Sequence, residues 1–287
     1  RTLMPDAGHV VHMPTHIDVL CGHYSNVVQW NEAATQVDVT FYERNGPYTI
    51  YTGYRLHNYH FTIYGAMFLG QFEPAMRAVR GIRATTPDDM LRMESPPMAD
   101  FFESYQAMEP HVLVRFGRWQ EAIDLPLPDD QSLYCTLTAN TLYARGVAHA
   151  ALGDVAAAEE AEQAFLAAKD RVPESRLLHN NRVVALLDIG AEMLRGEIAY
   201  RKGEHTAAFS ALRRAVALED TLAYDEPWGW MQPVRHALGA LLFEQGHHAQ
   251  AEAVFREDLG LGGQLGRSSI HPDNVWSLKG LHDCLVA

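Results

Sequence analysis

Apolar residues recur at every third or fourth position along most of this chain, which is the spacing of helices that bury one face. Each such stretch runs for a dozen or more residues, ends at a glycine and is followed by another stretch of the same kind. Glycine adopts the left-handed conformation that commonly ends a helix, so the pattern predicts helices joined by tight turns. The turn glycines are Gly22, Gly70, Gly117, Gly153, Gly203 and Gly246.

The residues around these glycines follow a common pattern. In the copies at Gly70 and Gly117 an aromatic residue lies two positions after the glycine and an alanine lies five positions after it. A further glycine lies seven positions before the turn in three copies, at Gly146, Gly196 and Gly239. Loops are predicted where Pro, Asp, Ser and Gly gather, at 45–47, 86–89, 125–130 and 260–269.

This combination resembles the tetratricopeptide repeat (TPR) family, over nearly the whole chain. A last half-repeat has Trp276 and Gly280 at the family's Trp and Gly positions. The resemblance implies an all-α, right-handed superhelical solenoid of antiparallel helix pairs, about six and a half pairs in a single domain over residues 1–287. The turn glycines are spaced more widely than the roughly 34 residues usual in the family, so we expect longer helices or loops.

Two strings, His12–Ile17 and His57–Phe61, are similar to motifs of an uncharacterised bacterial subgroup of TPR proteins. That likeness implies a further His-containing repeat upstream. Residues 1–6 also read like the end of a helix, so we expect the chain to be the C-terminal part of a longer protein.

Composition narrows the classes of function. The formal net charge of −13 argues against a nucleic-acid partner, which would need a basic face. No apolar run approaches the roughly 20 residues that span a bilayer, so no membrane partner is expected. The three cysteines are far apart, which favours free thiols in a reducing, cytoplasmic compartment. No phosphate-binding loop, dinucleotide fingerprint or Gly-x-Ser-x-Gly motif is present, so no nucleotide cofactor is expected.

Histidines fall repeatedly at the groove-facing positions of the first two repeats. In the TPR family, positions 2, 5 and 9 of the first helix face the concave groove. Counting back from Gly22 and Gly70 places five histidines and one tyrosine there, although His makes up only 15 of 287 residues. The turn glycines alone fix the numbering of positions in each repeat, so the histidines themselves play no part in choosing it. The residues are His9, His12, His16, His57, His60 and Tyr64.

The five histidines form a candidate metal site. Residues three and four apart share one face of a helix, with Cβ atoms roughly 5–6 Å apart, so two imidazoles can share one cation. Neighbouring helices of a solenoid pack about 8–10 Å apart, which lets two repeats contribute to one site. Imidazole suits Zn²⁺, Cu²⁺, Ni²⁺ or Fe²⁺. Two alternatives stay open: a polar groove that binds an acidic or aromatic ligand or responds to pH, and a chance arrangement.

A proline interrupts the helix that is predicted to carry His9, His12 and His16. Pro14 lies between His12 and His16, and it removes a backbone donor and kinks a helix. The three N-terminal histidines are therefore not expected to form a straight row.

Other residues are candidates for contact with a ligand in the groove. Asp225-Glu226-Pro227 is predicted to begin a helix, with Glu226 as an extra metal ligand or a base, and with Trp228 and Trp230 either in the core or stacked on a ligand. Arg115 is expected to orient a polar ligand or to form a structural ion pair. Equivalent groove positions further along add His111, Asn140 and Glu197.

Three functions remain open from the sequence. The first is a scaffold whose groove binds a divalent transition metal together with a small polar or peptide ligand. The second is a metal-dependent enzyme, a hydrolase or an oxidase, that uses the histidines. The third is a metal-free module for protein–protein interaction. The sequence leaves the question of catalysis undecided.

Overall fold

The structure, a computed structural model that describes residues 3–263 and 265–287, is mostly helical. This confirms the all-α expectation for the described residues. The helices are α1 Gly8–His12, α2 Thr15–Leu20, α3 Tyr24–Asn45, α4 Tyr51–Leu69, α5 Phe72–Ala84, α6 Asp88–Leu91, α7 Met98–Phe102, α8 Met108–Arg115, α9 Trp119–Asp124, α10 Cys135–Ala151, α11 Val155–Lys169, α12 Val183–Arg201, α13 His205–Glu219, α14 Val234–Glu244, α15 His248–Asp258 and α16 Val275–Val286.

Short elements complete the chain. Glu103–Ala107 and Arg267–Ser269 form 3-10 helices. Between α11 and α12, strands β1 Leu177–Leu178 and β2 Asn181–Arg182 pair as an antiparallel hairpin, which the sequence did not predict.

The six turn glycines all have the predicted backbone conformation. Their φ angles lie between 62° and 85°, a region that is strained for residues with a Cβ atom. Each glycine separates two helices that pack against each other: α2 and α3, α4 and α5, α8 and α9, α10 and α11, α12 and α13, and α14 and α15. The predicted turns are therefore confirmed.

Helix α4 lies at the centre of the N-terminal half. It packs against α1, α3, α5 and α8 and also against the last helix, α16. Leu56, Phe61, Ile63 and Phe68 are fully buried on it. Because α4 is enclosed on several sides, its polar side chains depend on other protein groups for their hydrogen bonds.

The C-terminal end of the chain returns to this central helix. Helix α16 packs on α14 and α15, and the Trp276 indole Nε1 at its start donates to the Met67 carbonyl at 2.7 Å. Helix α16 is thereby held against the central helix of the N-terminal half.

Pro14 divides the N-terminal helix as expected. Helix α1 ends at His12 and α2 begins at Thr15, with a turn between them. The predicted loops also fall between α-helices, except that Asn45 ends α3 and that Asp88 and Asp89 already belong to α6. The last predicted loop contains the 3-10 helix Arg267–Ser269. Gln264, in the last predicted loop, lies outside the described residues.

Two predictions of helix are wrong. The segment 221–233 has no helix, and α14 begins only at Val234. The Asp225 carboxylate accepts hydrogen bonds from Asn180 and Asn181 of the hairpin, and the residue before Pro227 is disfavoured in helical conformation. At the N-terminus, residues 3–6 form bends and a turn rather than the end of a helix, and Arg1 and Thr2 lie outside the described residues.

Two further features are the absence of membrane-spanning helices among the described residues and the state of the cysteines. None of the helices in the described part of the chain combines the length and apolar character needed to cross a membrane. All three cysteines are free thiols: Cys135 and Cys284 are buried, and Cys21 is partly buried.

Candidate metal centre

Four of the five predicted histidines lie together. Helix α1 supplies His12, α2 supplies His16, and α4 supplies His57 and His60. The ring centroid of His12 is 4.7 Å from that of His16 and 4.8 Å from that of His57. One ring nitrogen from each of His12, His16 and His57 lies within 4.8 Å of the others, a spacing at which the three can hold one metal ion.

A second group shares His57. Ring nitrogens of His57, His60 and His179 also lie within 4.8 Å of one another. His57 Nδ1 is 3.3 Å from His179 Nε2, and the rings of His60 and His179 are stacked with centroids 5.6 Å apart. The two groups therefore form one cluster of five imidazoles.

His179 was not predicted, and its backbone is unusual. It is the first of two residues in the turn of the hairpin, and its φ is 51°. Positive φ costs a residue with a Cβ atom roughly 1–2 kcal/mol, and strain of this kind is often found at functional sites. The turn places the His179 imidazole against rings that come from α4.

The orientation of the His12 ring is fixed by Asn31 of α3. The Asn31 amide nitrogen donates to the Val27 carbonyl at 2.8 Å and to Thr15 Oγ1 at 3.1 Å, so the amide oxygen is turned toward His12. That oxygen is 2.7 Å from His12 Nδ1 and can only accept. His12 Nδ1 therefore carries the proton, and His12 Nε2 has a free lone pair.

The His16 ring is held in the same tautomer by a carboxylate. His16 Nδ1 makes a short hydrogen bond to Glu226 Oε2. An ionised carboxylate only accepts, so Nδ1–H is the donor and His16 Nε2 has a free lone pair. This carboxylate–histidine arrangement is typical of metal ligands, because it orients the ring and raises its basicity.

The two free lone pairs face each other. His12 Nε2 and His16 Nε2 are 2.9 Å apart. Two lone pairs at this distance repel unless a cation lies between or beside them. That cation is either a proton shared by the two rings or a metal ion bound by both.

Burial makes a proton costly on His12 and on the three rings of the second group. It is the largest cause of a lowered pKa for His12, to about 3, and for His179, to about 4. Burial and the neighbouring imidazoles also hold the pKa of His57 and His60 well below the usual value. Near neutral pH these rings are uncharged, which is the protonation state that binds a metal ion.

Two further side chains contact the second group. His60 Nε2 is 2.9 Å from the Met231 thioether sulfur, and the Tyr105 hydroxyl is 2.9 Å from His179 Nε2. Both Tyr105 and Met231 are buried. The second group thus combines imidazoles with a soft sulfur atom and a phenol.

His9, the fifth predicted ligand, belongs to neither group. Its ring stacks on Tyr54 with centroids 4.0 Å apart and is 5.8 Å from the His12 ring. His9 therefore lies beside the cluster, but it is not among the histidines whose ring nitrogens lie within 4.8 Å of one another.

Several residues predicted to contact a ligand lie in the interior. Trp230 donates from its indole nitrogen to the Met193 sulfur at 3.1 Å and lies against the edge of His111. Tyr64 stacks on Phe68 with ring centroids 4.3 Å apart. Buried polar atoms without a hydrogen-bond partner among the described residues include Tyr64 Oη, His111 Nδ1, Asn140 Oδ1 and Trp228 Nε1.

Glu226, predicted as an extra metal ligand or a base, contacts His16. It lies behind His16, bonded to the nitrogen that faces away from His12, and is in neither group of candidate ligands. The neighbouring Trp228 stacks on Tyr64 with centroids 6.0 Å apart. In the structure the Glu226 carboxylate therefore contacts the His16 ring, and Trp228 packs beside the core.

Arg115 and Glu197 lie elsewhere, on the wall of a cavity of about 450 Å³. Arg115 forms no ion pair within the described part of the chain, and its guanidinium lies over the Trp276 ring at 4.9 Å from the centroid. Glu197 accepts a hydrogen bond from Arg201 at 2.8 Å.

Sequence reasoning missed four residues of the centre: Asn31, Tyr105, His179 and Met231. His179 and Met231 lie outside the repeat frame, in the hairpin turn and in the segment before α14. Asn31 and Tyr105 occupy positions that the family's groove pattern does not single out. No periodic signal in the sequence points to them.

No protein-family model matches the chain, and no curated protein matches it.

Proposed function

We propose that this protein is a TPR-type scaffold, a right-handed solenoid of helix pairs, whose groove binds a divalent transition metal through His12, His16 and His57. The observation that carries the proposal is the pair of facing Nε2 atoms 2.9 Å apart, with both Nδ1 atoms bonded to acceptors. A metal ion satisfies both lone pairs at once.

The spacing suits imidazole coordination. Zn–N bonds of about 2.0–2.1 Å in a tetrahedral site place two ligand nitrogens about 3.3 Å apart. A small rotation of His12 or His16 takes their separation from 2.9 Å to this value. Three imidazoles leave a fourth position open for water or for a small polar or peptide ligand.

The second group supports a preference among ions. A thioether such as that of Met231 selects soft ions, above all copper, whereas imidazole alone accepts Zn, Cu, Ni or Fe. Since His57 belongs to both groups, the cluster accommodates either one ion or a pair that shares this ring.

Metal analysis of untagged protein tests the proposal. After dialysis against each ion in turn, we expect at least one stoichiometric equivalent per chain. His12→Ala and His57→Ala should lose it, while His282→Ala, whose side chain is 69% exposed on α16, should retain it. A bound ion at 100 times its dissociation constant should also stabilise the fold by about 2.7 kcal/mol against chelator.

Wild-type protein that retains no ion at neutral pH would refute this function. The metal-free interaction module would then be the better description, because the histidines would serve only as polar groove lining.

A second candidate function is a metal-dependent oxidase. It is favoured by the buried Tyr105 hydroxyl 2.9 Å from His179 Nε2, because a phenol beside a redox metal can supply an electron and a proton. Copper-loaded protein should then consume oxygen with ascorbate as reductant. Tyr105→Phe should slow this uptake without changing ion content, and an unchanged rate would leave the binding scaffold as the function.

A further inference from the structure

The cavity that Arg115 and Glu197 line lies apart from the histidine cluster, and its lining is chemically different. Its volume is about 450 Å³, in the range of pockets that hold small organic molecules. Helices α8, α10, α12, α14 and α16 contribute to its wall. Much of that wall is apolar, with Val147, Met193, Phe243, Phe255 and Trp276 among the lining residues.

Arg115 lies on this wall, and two of its donors have no partner in the part of the chain that the structure describes. Its Nε and Nη2 atoms are buried and have no hydrogen-bond partner among the described residues. The Trp276 ring covers the face of the guanidinium, at 4.9 Å from ring centroid to Cζ. An interaction through the face leaves the in-plane N–H groups free, and buried guanidinium donors are normally paired.

The other charged side chains on the wall are paired with one another. Arg201 donates to Glu197 at 2.8 Å, and Lys279 donates to Asp283 at 2.6 Å. Within each pair the positive and the negative charge cancel. Among the described residues that line the cavity, Arg115 is the cation without an ion-pair partner.

The buried acids that interact electrostatically with Arg115, Asp258 and Glu219, form their hydrogen bonds with other groups. The Asp258 carboxylate accepts hydrogen bonds from His236, His271, Asn274 and Ser277. Glu219 accepts from the Val234 backbone nitrogen at 3.1 Å, and burial raises its pKa to about 8. Neither acid bonds to the Arg115 guanidinium.

We propose that this cavity binds a small monocarboxylate with an apolar body, its carboxylate paired with Arg115 and its apolar part against Met193, Phe243 and Trp276. A carboxylate matches the fork of N–H donors and brings the single negative charge that balances one guanidinium. This site is independent of the metal proposal, because none of the five clustered histidines lines the cavity.

A pair of probes with the same chain tests the charge requirement in wild-type protein. Decanoate and decanol are titrated below their aggregation limits in the presence of chelator, with tryptophan fluorescence as the readout because Trp119 and Trp276 line the cavity. A charge-assisted hydrogen bond should make decanoate bind roughly tenfold to a hundredfold more tightly. Equal affinities for the two probes would overturn the proposal.

Two variants locate the site. Arg115→Met should abolish the preference for decanoate while leaving decanol binding in place. Arg118→Met is the matched control, since this exposed arginine pairs with Glu121 outside the cavity wall, and its affinities should equal those of the wild type. A preference that survives in Arg115→Met would also overturn the proposal.

A third variant, Ala240→Phe, tests the location of the site even if Arg115→Met does not fold. Ala240 is exposed and lines the cavity, so Ala240→Phe fills space there without disturbing the core. It should weaken the binding of both probes. Unchanged binding of decanoate in this variant would show that the probe binds elsewhere and would overturn the proposed site.

Discussion

At the scale of single residues, two acceptors of different charge set the tautomers of the facing imidazoles. The Asn31 amide oxygen bonds to His12 and the Glu226 carboxylate bonds to His16, each at Nδ1. The amide cannot reverse without losing its donation to the Val27 carbonyl at 2.8 Å. The two sides of the candidate site therefore differ, since His16 bonds to a carboxylate and His12 bonds to an amide.

Replacing Asn31 tests whether this support matters for metal binding. Asn31→Leu removes the acceptor for His12 Nδ1, so the ring is no longer confined to the tautomer with a free Nε2. We expect metal affinity to fall roughly 10–100-fold and stability to fall by about 1–3 kcal/mol. Competition against a chromophoric chelator measures the affinity, and a urea melt of metal-free protein measures the stability.

The matched substitution at this position is Asn31→Asp. It keeps an acceptor toward His12 and adds negative charge, so its metal affinity should stay near or above that of the wild type. If Asn31→Leu binds metal as tightly as the wild type does, then Asn31 serves packing alone.

At the scale of elements, the hairpin and the segment before α14 act as one unit. Asn181 of β2 donates to the Ala223 carbonyl and accepts from the Ala223 backbone nitrogen, each at 2.9 Å. It also donates to the Asp225 carboxylate at 2.6 Å. One side chain thereby ties together the turn that carries His179 and the segment that carries Glu226.

Breaking this connection should affect both sides of the metal centre. Asn181→Ala removes three hydrogen bonds and should destabilise the fold by about 1–3 kcal/mol. It should also lower ion content and increase amide hydrogen exchange in residues 177–182 and 221–226. Arg182→Ala is the control, because the exposed Arg182 pairs only with the exposed Glu174 among the described residues. Exchange in 221–226 that is unaffected by Asn181→Ala would show that the two segments are held independently.

The sequence predicts helices and turns better than it predicts these connections. Apolar periodicity and the turn glycines act over a few residues, and the same frame placed His12, His16, His57 and His60 toward one site. By contrast, the bond from His16 to Glu226 joins residues 210 positions apart. The position of Glu226 depends on the hairpin, and the hairpin depends on a strained turn that no helical pattern describes.

At the scale of the whole molecule, burial changes the proton affinity of many groups at once. Burial lowers the pKa of seven histidines, which are His9, His12, His57, His60, His111, His179 and His236. Burial raises the pKa of five acids, which are Asp38, Glu103, Glu162, Glu219 and Asp225. The two sets have opposite effects on the pH dependence of stability.

The histidines should dominate between pH 6.5 and about 4. In this range they bind protons once unfolded but stay neutral in the fold, so the unfolded chain takes up as many as seven protons. The five acids hold protons in the fold that the unfolded chain releases, and this release offsets as many as five of the protons taken up. A net uptake of about one to two protons on unfolding makes stability fall by roughly 1.4–2.7 kcal/mol per pH unit on acidification.

Metal-free protein should therefore melt at a lower temperature at pH 5 than at pH 7, as followed by circular dichroism with chelator present. Adding the bound ion should raise the melting temperature at pH 7 and do so far less at pH 5, because protons compete with metal for the imidazole nitrogens. A metal-free melting temperature that rises on acidification would mean that Asp38, Glu219 and Asp225 outweigh the histidines, and that the clustered rings are better solvated than their burial indicates. An equal stabilisation by the ion at both pH values would mean that its ligands are not imidazoles.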